Sequence, residues 1–279
     1  MTRQIDSIRE IADQFDVIVL DQWGVLHDGR RPYREALDAV AGLSGTSLAV
    51  LSNSGKRAAP NAARIASMGF DVAAFDHIMT SGEALWRAFA AGQATARCLF
   101  PIEGHTGDAS AWAEGGSIKI APNAENAEAL LLMGLPDGSQ EEDYDAVLKT
   151  ALSRDLPLYC SNPDLKSPRG DGVFVMSPGV LARRYAAMGG TTHLYGKPHL
   201  PIFEALQQAT GCAPEKILMV GDSLHHDIAG AQAAGWASLL ICGGVHAPDI
   251  SPPTAPRDIA RLTAAAGVAA PNFALPELR

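Results

Sequence analysis

The chain is poor in cysteine and in basic residues, and it has no long apolar run. Its four cysteines lie far apart without a CxxC pair, so we expect neither a zinc site nor a disulfide framework, and we predict a reducing cytoplasmic location. Lys and Arg number 22 against 31 Asp and Glu, which argues against nucleic acid or an anionic membrane as a partner. No apolar run is long enough to cross a bilayer, and the first ten residues have no signal-peptide core.

One stretch, residues 15–26, starts the functional argument. Its apolar run from Val17 to Leu20 predicts a strand that is buried on both faces. The run stops at Asp21, and the carboxyl end of such a strand is where open α/β sheets bind their ligands. Taken alone, Asp21 could equally well begin an ordinary turn, so its interpretation depends on the other segments.

Two further predicted strands also end in polar residues. The strand Ser47–Leu51 runs into Ser52-Asn53-Ser54-Gly55 and then a helix from about Pro60. Hydroxyls and the free N–H groups of a helix N-terminus favour phosphate, although Ser and Asn are also ordinary N-caps. The strand Lys216–Val220 runs into Gly221-Asp222, and Asp227 follows five residues later.

Together these strand ends predict a cation site. If the strands are parallel, Asp21, Ser52 and Asp222 lie at one edge of the sheet. The carboxylates of Asp21, Asp222 and Asp227 would repel one another there, and a hard divalent cation such as Mg²⁺, which prefers oxygen ligands, would offset the repulsion. Lys197 and the Ser52 loop supply a positive charge and hydrogen-bond donors for a phosphate.

The middle of the chain predicts a second module. From about residue 95 to 190, short strand candidates alternate with Gly-rich turns and two helices. The predicted fold class is therefore α/β, with a Rossmann-like doubly wound parallel core at 1–94 and 195–279 and an inserted α/β module at 95–194, which the family resemblance given below identifies as a cap domain. Residues 160–170 predict a polar loop, which is either solvated or reaches the substrate. Ser7 to Gln14 predicts a short amphipathic helix.

In their order along the whole chain, these segments resemble the motifs of the haloacid dehalogenase-like phosphohydrolase superfamily. Asp21 matches the nucleophile of the first motif and Ser52 the hydroxyl of the second. Lys197 matches the lysine of the third motif, and Asp222 with Asp227 matches the acidic fourth. The resemblance rests on the combination, because no one of these motifs is specific by itself.

The position of the insert and the segment Ser161-Asn162-Pro163-Asp164 resemble the class IIA subgroup. That subgroup includes NagD-like sugar or nucleotide phosphatases, nitrophenylphosphatases and pyridoxal phosphatases, and its C2-type cap carries a loop that selects the substrate. The resemblance implies a small phosphorylated metabolite as substrate, and it implies a homodimer formed through the cap. The residues that it places near the phosphate or the substrate are Asn53, Ser54, Asn162, Asp164 and Arg169.

The resemblance also implies a mechanism. Asp21 attacks phosphorus, and water then hydrolyses the phosphoaspartate. Lys197 and Ser52 hold the equatorial phosphate oxygens, and Asp227 either orders a metal-bound water or orients Lys197. Mg²⁺ would be held by water and by three protein groups, namely the Asp21 carboxylate, the Asp222 carboxylate and the backbone carbonyl of Trp23.

The chain departs from the family at Trp23. The family has there a second Asp, two residues after the nucleophile, which acts as general acid and base, whereas an indole N–H does not shuttle protons. Three alternatives stay open: His27 or Asp28 replaces the acid, the phosphatase is weakened, or the substrate needs no acid or is bound without turnover. A metal-free dehalogenase is disfavoured because Asp222 and Asp227 would have no role, and a mutase because it also needs an acid–base group.

Overall fold

The computed structural model describes residues 2–43, 45–170, 173–252 and 255–279, without the side chains of residues 168–170. The strands are β1 (Arg3–Gln4), β2 (Val17–Leu20), β3 (Ser47–Ser52), β4 (His77–Thr80), β5 (Cys98–Ile102), β6 (Lys119–Ile120), β7 (Ala129–Leu132), β8 (Leu158–Cys160), β9 (Lys166–Gly170), β10 (Val173–Met176), β11 (Thr192–Leu194), β12 (Ile217–Gly221), β13 (Ala237–Ile241) and β14 (Phe273–Leu275). The α-helices are α1 (Arg34–Gly42), α2 (Ala58–Ser67), α3 (Ser81–Ala90), α4 (Asp108–Ala113), α5 (Asp145–Ser153), α6 (Gly179–Ala187), α7 (Leu200–Thr210), α8 (Ala229–Ala233) and α9 (Ala255–Ala266).

A seven-stranded sheet has the order β1-β14-β13-β12-β2-β3-β4. The pairings from β1 through β3 are parallel. From β2 the chain proceeds outward through β3 to β4, and after the insert it returns to β12, on the other side of β2. This reversal of strand order creates the crevice in which open α/β sheets bind ligands.

The central strand β2 is buried along its whole length, as its apolar run predicts. Its Leu20 is in register with Val220 of β12 and Val50 of β3, so the carboxyl ends of all three strands lie at the same edge. Helix α1 buries Ala36, Ala39 and Val40, which lie on one face at helical spacing. Burial of apolar surface on this scale is the main force that holds the sheet in its register.

A second parallel sheet has the order β11-β8-β7-β5-β6 and is built from residues 98–194 alone. Its central strand β7 is fully buried. Strands β9 and β10 form a separate antiparallel pair. These sheets confirm the predicted α/β fold class, with a Rossmann-like core and an inserted α/β module. Among the described residues, no helix combines the length and apolar character needed to cross a membrane.

The chain divides into two compact units. The first comprises Met1–Ser52, Ala62–Met79 and Phe203–Arg279, and the second comprises Asn53–Asn61 and Thr80–Ile202. The second unit thus takes in more of the chain than the predicted insert. The predicted cap boundaries at 95 and 194 stay a prediction.

The structure corrects two local predictions. Residues 166–170, predicted as part of a loop, form β9, because antiparallel pairing with β10 satisfies their backbone groups despite the low strand propensity of the sequence. The helix predicted from Ser7 to Gln14 is instead two 3₁₀ segments, Ile8–Glu10 and Ala12–Gln14. Ile8 and Ile11 are both buried, and their spacing of three suits a 3₁₀ turn.

Three short elements, β1, β11 and α4, were not predicted. Each has two to six residues, too few for a period of alternation or of helical spacing to be recognised.

Candidate active site

Three carboxylates come together at the carboxyl edge of the seven-stranded sheet. Asp21, Asp222 and Asp227 each offer one oxygen, and these oxygens lie within 4.8 Å of one another. Asp21 follows β2, and its N–H donates to the Val220 carbonyl at 2.9 Å. Asp222 follows the neighbouring strand β12, and Asp227 lies in the π-helical turn Leu224–Ile228. Parallel pairing of β2 with β12 therefore brings together acids that are about 200 residues apart in sequence.

Burial and backbone hydrogen bonds hold two of these carboxylates in place. Asp222 is 8% exposed and Asp227 is 0% exposed. The Val245 N–H donates to Asp222 Oδ2 at 2.7 Å, and the Ser223 N–H donates to Asp227 Oδ2 at 3.0 Å. The backbone at Gly244 passes so close to Asp222 that a Cβ at position 244 would overlap its carboxylate. The Gly243-Gly244 pair after β13 is the sequence signal for this contact, although by itself such a pair predicts only a turn.

This donor set fits a hard divalent cation. Three carboxylate oxygens gathered within 4.8 Å repel one another, and Mg²⁺ binds such oxygen ligands together with water. The three acids are thus the residues that could hold the metal. The further assignment of the Trp23 backbone carbonyl as a ligand stays a prediction.

The segment after Asp21 folds into a tight flap around His27. The His27 N–H donates to the Gln22 carbonyl at 3.1 Å, and its carbonyl accepts from the Gly24 N–H at 3.0 Å. His27 Nδ1 accepts from the Gly29 N–H at 3.0 Å. The Trp23 ring packs edge-on against the His27 ring, with centroids 5.9 Å apart. Gly29 has φ +91°, and a Cβ there would overlap the Trp23 ring, so the indole is an integral part of the flap.

His27 and Asp28, the predicted substitutes for the missing acid, are both engaged in holding the flap. His27 is 0% exposed; burial lowers its pKa to about 4, and the nearby Arg64 guanidinium adds to the effect. Asp28 is exposed, and its Oδ1 accepts from the N–H groups of Arg30 and Arg31 at 2.8 and 2.7 Å, bonds that lower the pKa of its carboxyl. At neutral pH neither side chain therefore carries a readily released proton, which favours a structural role for both.

Ser52 is the last residue of β3 and is buried. It lies in the first unit, in the same sheet as β2. The next residue, Asn53, belongs to the second unit. Ser54 Oγ accepts from the Lys56 N–H at 3.3 Å, so its side chain caps the turn that leads towards α2.

In the second unit the structure brings Asn53, Asp164 and Lys197 together. Asn53 Nδ2 donates to Asp164 Oδ1 at 2.7 Å, and its amide bonds to both backbone groups of Lys197. The side chain of Asn162 accepts from the Asp164 N–H at 3.1 Å. Lys197 is 3% exposed. Arg169 lies in β9, and its side chain falls outside the described part of the structure.

Comparison with known proteins identifies similar sequences. A model of haloacid dehalogenase-like hydrolases matches residues 18–114, and a HAD-hydrolase-like model matches residues 194–265. The chain is 26% identical to a D-glycerol 3-phosphate phosphatase of Mycobacterium tuberculosis over 86% of its own length and 66% of that protein, so it spans about two thirds of this relative. It is 27% identical to human chronophin, over 86% of its length and 85% of that protein.

Solved structures resemble the chain over nearly its whole length. A hydrolase of the haloacid dehalogenase-like family from Brucella suis superposes with a TM-score of 0.80 at 28% identity and covers 99% of this chain and 100% of its own. A p-nitrophenyl phosphatase from Archaeoglobus fulgidus superposes with a TM-score of 0.75 at 21% identity, covering 94% of this chain and 96% of its own. The second likeness is evidence of the shared fold.

The buried His27 predicts a loss of stability in mild acid. The His27 ring takes up a proton below about pH 6.5 in the unfolded chain but only near pH 4 in the folded protein. The free energy of unfolding therefore falls as the pH decreases from about 6.5 to about 4, and this ring does not change it above pH 6.5. His27→Asn keeps an acceptor for the Gly29 N–H but does not titrate. In urea unfolding, wild type should lose about 2 kcal/mol more than this variant between pH 7 and pH 5.

Equal losses of stability in wild type and in His27→Asn would contradict the prediction.

The packing at Gly244 predicts that metal binding depends on this residue. Gly244→Ala would push the Asp222 carboxylate away from Asp21 and Asp227, and loss of a group that orients a ligand costs about 10- to 100-fold in metal affinity. Titration calorimetry with Mg²⁺ measures this. Gly104→Ala is the matched control, since a Cβ there meets its nearest atom at 3.7 Å. Unchanged affinity in Gly244→Ala would refute the predicted site.

Proposed function

This chain belongs to the haloacid dehalogenase-like hydrolase family, and on that basis we propose that it is a Mg²⁺-dependent phosphatase acting on a small phosphorylated metabolite. The observation that carries the proposal is the convergence of Asp21, Asp222 and Asp227 at the crevice between β2 and β12, with oxygens within 4.8 Å of one another. The name of one relative supports the reaction type, since that protein is a D-glycerol 3-phosphate phosphatase.

Asp21 is the proposed nucleophile. It is the half-buried acid of the cluster, directly at the end of β2, where a substrate entering the crevice would meet it. Its carboxylate oxygen forms a bond to phosphorus while the bond from phosphorus to the leaving oxygen breaks. Water then attacks the phosphorus of the phosphoaspartate, which releases inorganic phosphate and restores the carboxylate.

Asp21 and Asp222, with Asp227 and the Trp23 carbonyl, are the proposed holders of Mg²⁺. When bound, the cation supplies positive charge that offsets the repulsion between an anionic phosphate and the Asp21 carboxylate. Burial of Asp222 and Asp227 and their bonds to backbone N–H groups keep the ligands in place before the metal binds, so little reorganisation is required.

The remaining predicted residues complete the proposal. Lys197 and Ser52, with Asn53 and Ser54, are proposed to bind the phosphate, because in-line phosphoryl transfer depends on charge and donors around the equatorial oxygens. The segment with Asn162, Asp164 and Arg169 is proposed to influence substrate choice. We also propose that the protein forms a homodimer, as the resemblance implies, and that it is cytoplasmic, as its few, scattered cysteines suggest.

Trp23 supports a second candidate function, a phosphometabolite-binding or regulatory protein with little turnover. The flap holds an indole where the family has its general acid, and His27 and Asp28 are committed to hydrogen bonds within the flap. If this candidate is correct, Trp23→Asp should raise turnover strongly while phosphate binding stays unchanged.

The nucleophile is tested by Asp21→Asn. The amide is isosteric but does not attack phosphorus, so release of phosphate from 4-nitrophenyl phosphate in the presence of Mg²⁺ should fall to background. Omission of Mg²⁺ should have the same effect on wild type. Asp38→Asn removes an exposed carboxylate in α1 and should retain full activity. Phosphate release that persists in Asp21→Asn would contradict the proposed mechanism.

The lack of a general acid predicts a strong dependence on the leaving group. A positioned acid contributes about 10²- to 10⁴-fold, so kcat/KM for an alkyl phosphate should lie below that for 4-nitrophenyl phosphate by a factor of this order. Trp23→Asp should reduce the ratio between the two kcat/KM values. Trp23→Phe keeps a ring against Gly29 and should leave this ratio unchanged. Comparable rates on both substrates in wild type would mean that another group donates the proton.

A further inference from the structure

The side-chain amide of Asn53 holds both backbone groups of Lys197. Asn53 Oδ1 accepts from the Lys197 N–H at 2.6 Å, and Asn53 Nδ2 donates to the Lys197 carbonyl at 3.0 Å. These residues are 144 positions apart in sequence. A two-point attachment of this kind restricts both translation and rotation of the residue 197 backbone, from which the lysine side chain extends.

Two further bonds determine which way the Asn53 amide faces. Its second N–H donates to Asp164 Oδ1 at 2.7 Å, and Ser81 Oγ donates to its Oδ1 at 3.4 Å. An amide has two donors and two acceptor lone pairs, and all four are used here. Reversing the amide would turn Oδ1 towards the Asp164 carboxylate and Nδ2 towards the Lys197 N–H, which places like groups against each other. The bond to the carboxylate is charge-assisted and therefore strong.

The sheet topology explains why Asp164 and Lys197 lie close together. Asp164 lies in the segment after β8, and Lys197 lies in the segment after β11, and these strands are parallel neighbours. The Tyr195 N–H donates to the Cys160 carbonyl at 3.0 Å, which continues the pairing beyond the strand ends. The Asp164 carbonyl accepts from the Gly179 N–H at 3.0 Å, so the start of α6 holds the Asp164 segment as well.

We propose that Asn53 and Asp164 are positioning residues for Lys197, with Asp164 orienting the Asn53 amide and Asn53 orienting the lysine backbone. The inference rests on the proposed function, in which Lys197 binds the phosphate. For the side chains of Asn53 and Asp164, this role replaces the direct contact with phosphate or substrate that the resemblance implies. A side chain that acts through Lys197 should have no effect on catalysis once the lysine is removed.

A double-mutant cycle in the full-length protein tests this, with 4-nitrophenyl phosphate and Mg²⁺. Asn53→Ala should lower kcat/KM by about 10²-fold, the order of loss caused by a misplacement of about 1 Å. In the Lys197→Ala background the same substitution should change nothing further, because effects that run through one group are not additive. Independent losses that multiply in the double variant would overturn the proposal. Asn123→Ala removes another hydrogen-bonded Asn of the second unit and controls for a general loss of stability.

The conservative change separates orientation from charge. Asp164→Asn keeps an acceptor for Asn53 Nδ2 and should lower kcat less than Asp164→Ala, which removes that acceptor. This loss should also vanish in the Lys197→Ala background. Equal losses of kcat in Asp164→Asn and Asp164→Ala would mean that Asp164 acts through its negative charge and does not orient the Asn53 amide. Because Asp164→Ala removes only one of the four hydrogen bonds of the Asn53 amide, it is the milder change and serves if Asn53→Ala does not fold.

Crystal structures of wild type and Asn53→Ala distinguish failure of this inference from failure of the proposed function. Displacement of the Lys197 backbone in the variant supports positioning even if the protein hydrolyses no phosphate ester. An unmoved Lys197 overturns positioning even if the protein is an active phosphatase. Wild-type activity in Lys197→Ala would count against the proposed function and leave the structural comparison to decide the inference.

Discussion

Electrostatic repulsion among Asp21, Asp222 and Asp227 is the constraint on which the proposed chemistry depends. The carboxylate oxygens lie within 4.8 Å of one another. Two unit charges at that distance repel by about 3–4 kcal/mol at the effective dielectric constant of a protein surface. The fold sustains this because Asp21 and Asp222 follow neighbouring parallel strands whose register is held by buried apolar side chains, and Asp227 lies in the turn after the second of them. Backbone N–H groups from Val245 and Ser223 then orient two of the three carboxylates. A cluster built in this way fits a cation, because a divalent ion converts the repulsion into attraction.

The reversal of strand order explains why the acids come from distant parts of the sequence. Strand β2 is followed outward by β3 and β4, while β12 returns to its other side and is followed outward by β13 and β14. The crevice at this reversal is lined by residues that follow β2 and β12. The long connection between the two halves includes a complete second sheet, so a domain can be inserted without altering the register that gathers the carboxylates.

The flap raises a different question, the source of the proton for the leaving group. Trp23, His27 and Gly29 pack as one unit, and Asp28 caps the turn beside them. An acid at position 23 would lie in a flap whose packing is now built around an indole. The proposed chemistry is therefore best suited to leaving groups that depart without protonation, or to slow turnover of those that do not.

Local pattern was sufficient for the buried central strands of the core and for the acids that follow them. The run from Val17 to Leu20 predicted β2 with its observed bounds, and the polar residues after β2, β3 and β12 identified the strand ends that carry the candidate site. Burial and periodicity are recorded in neighbouring residues, so they can be recognised without the fold. The motif order likewise identified the family.

Only the tertiary structure decided what the polar side chains contact. Nothing near Asn53 in sequence shows that its amide holds Lys197, 144 residues away, or that Val245 donates to Asp222. The burial of His27, which lowers its pKa to about 4, also depends on how the flap packs. Hydrogen-bond partners and local dielectric are properties of the assembled chain, since they arise from residues that only folding brings together.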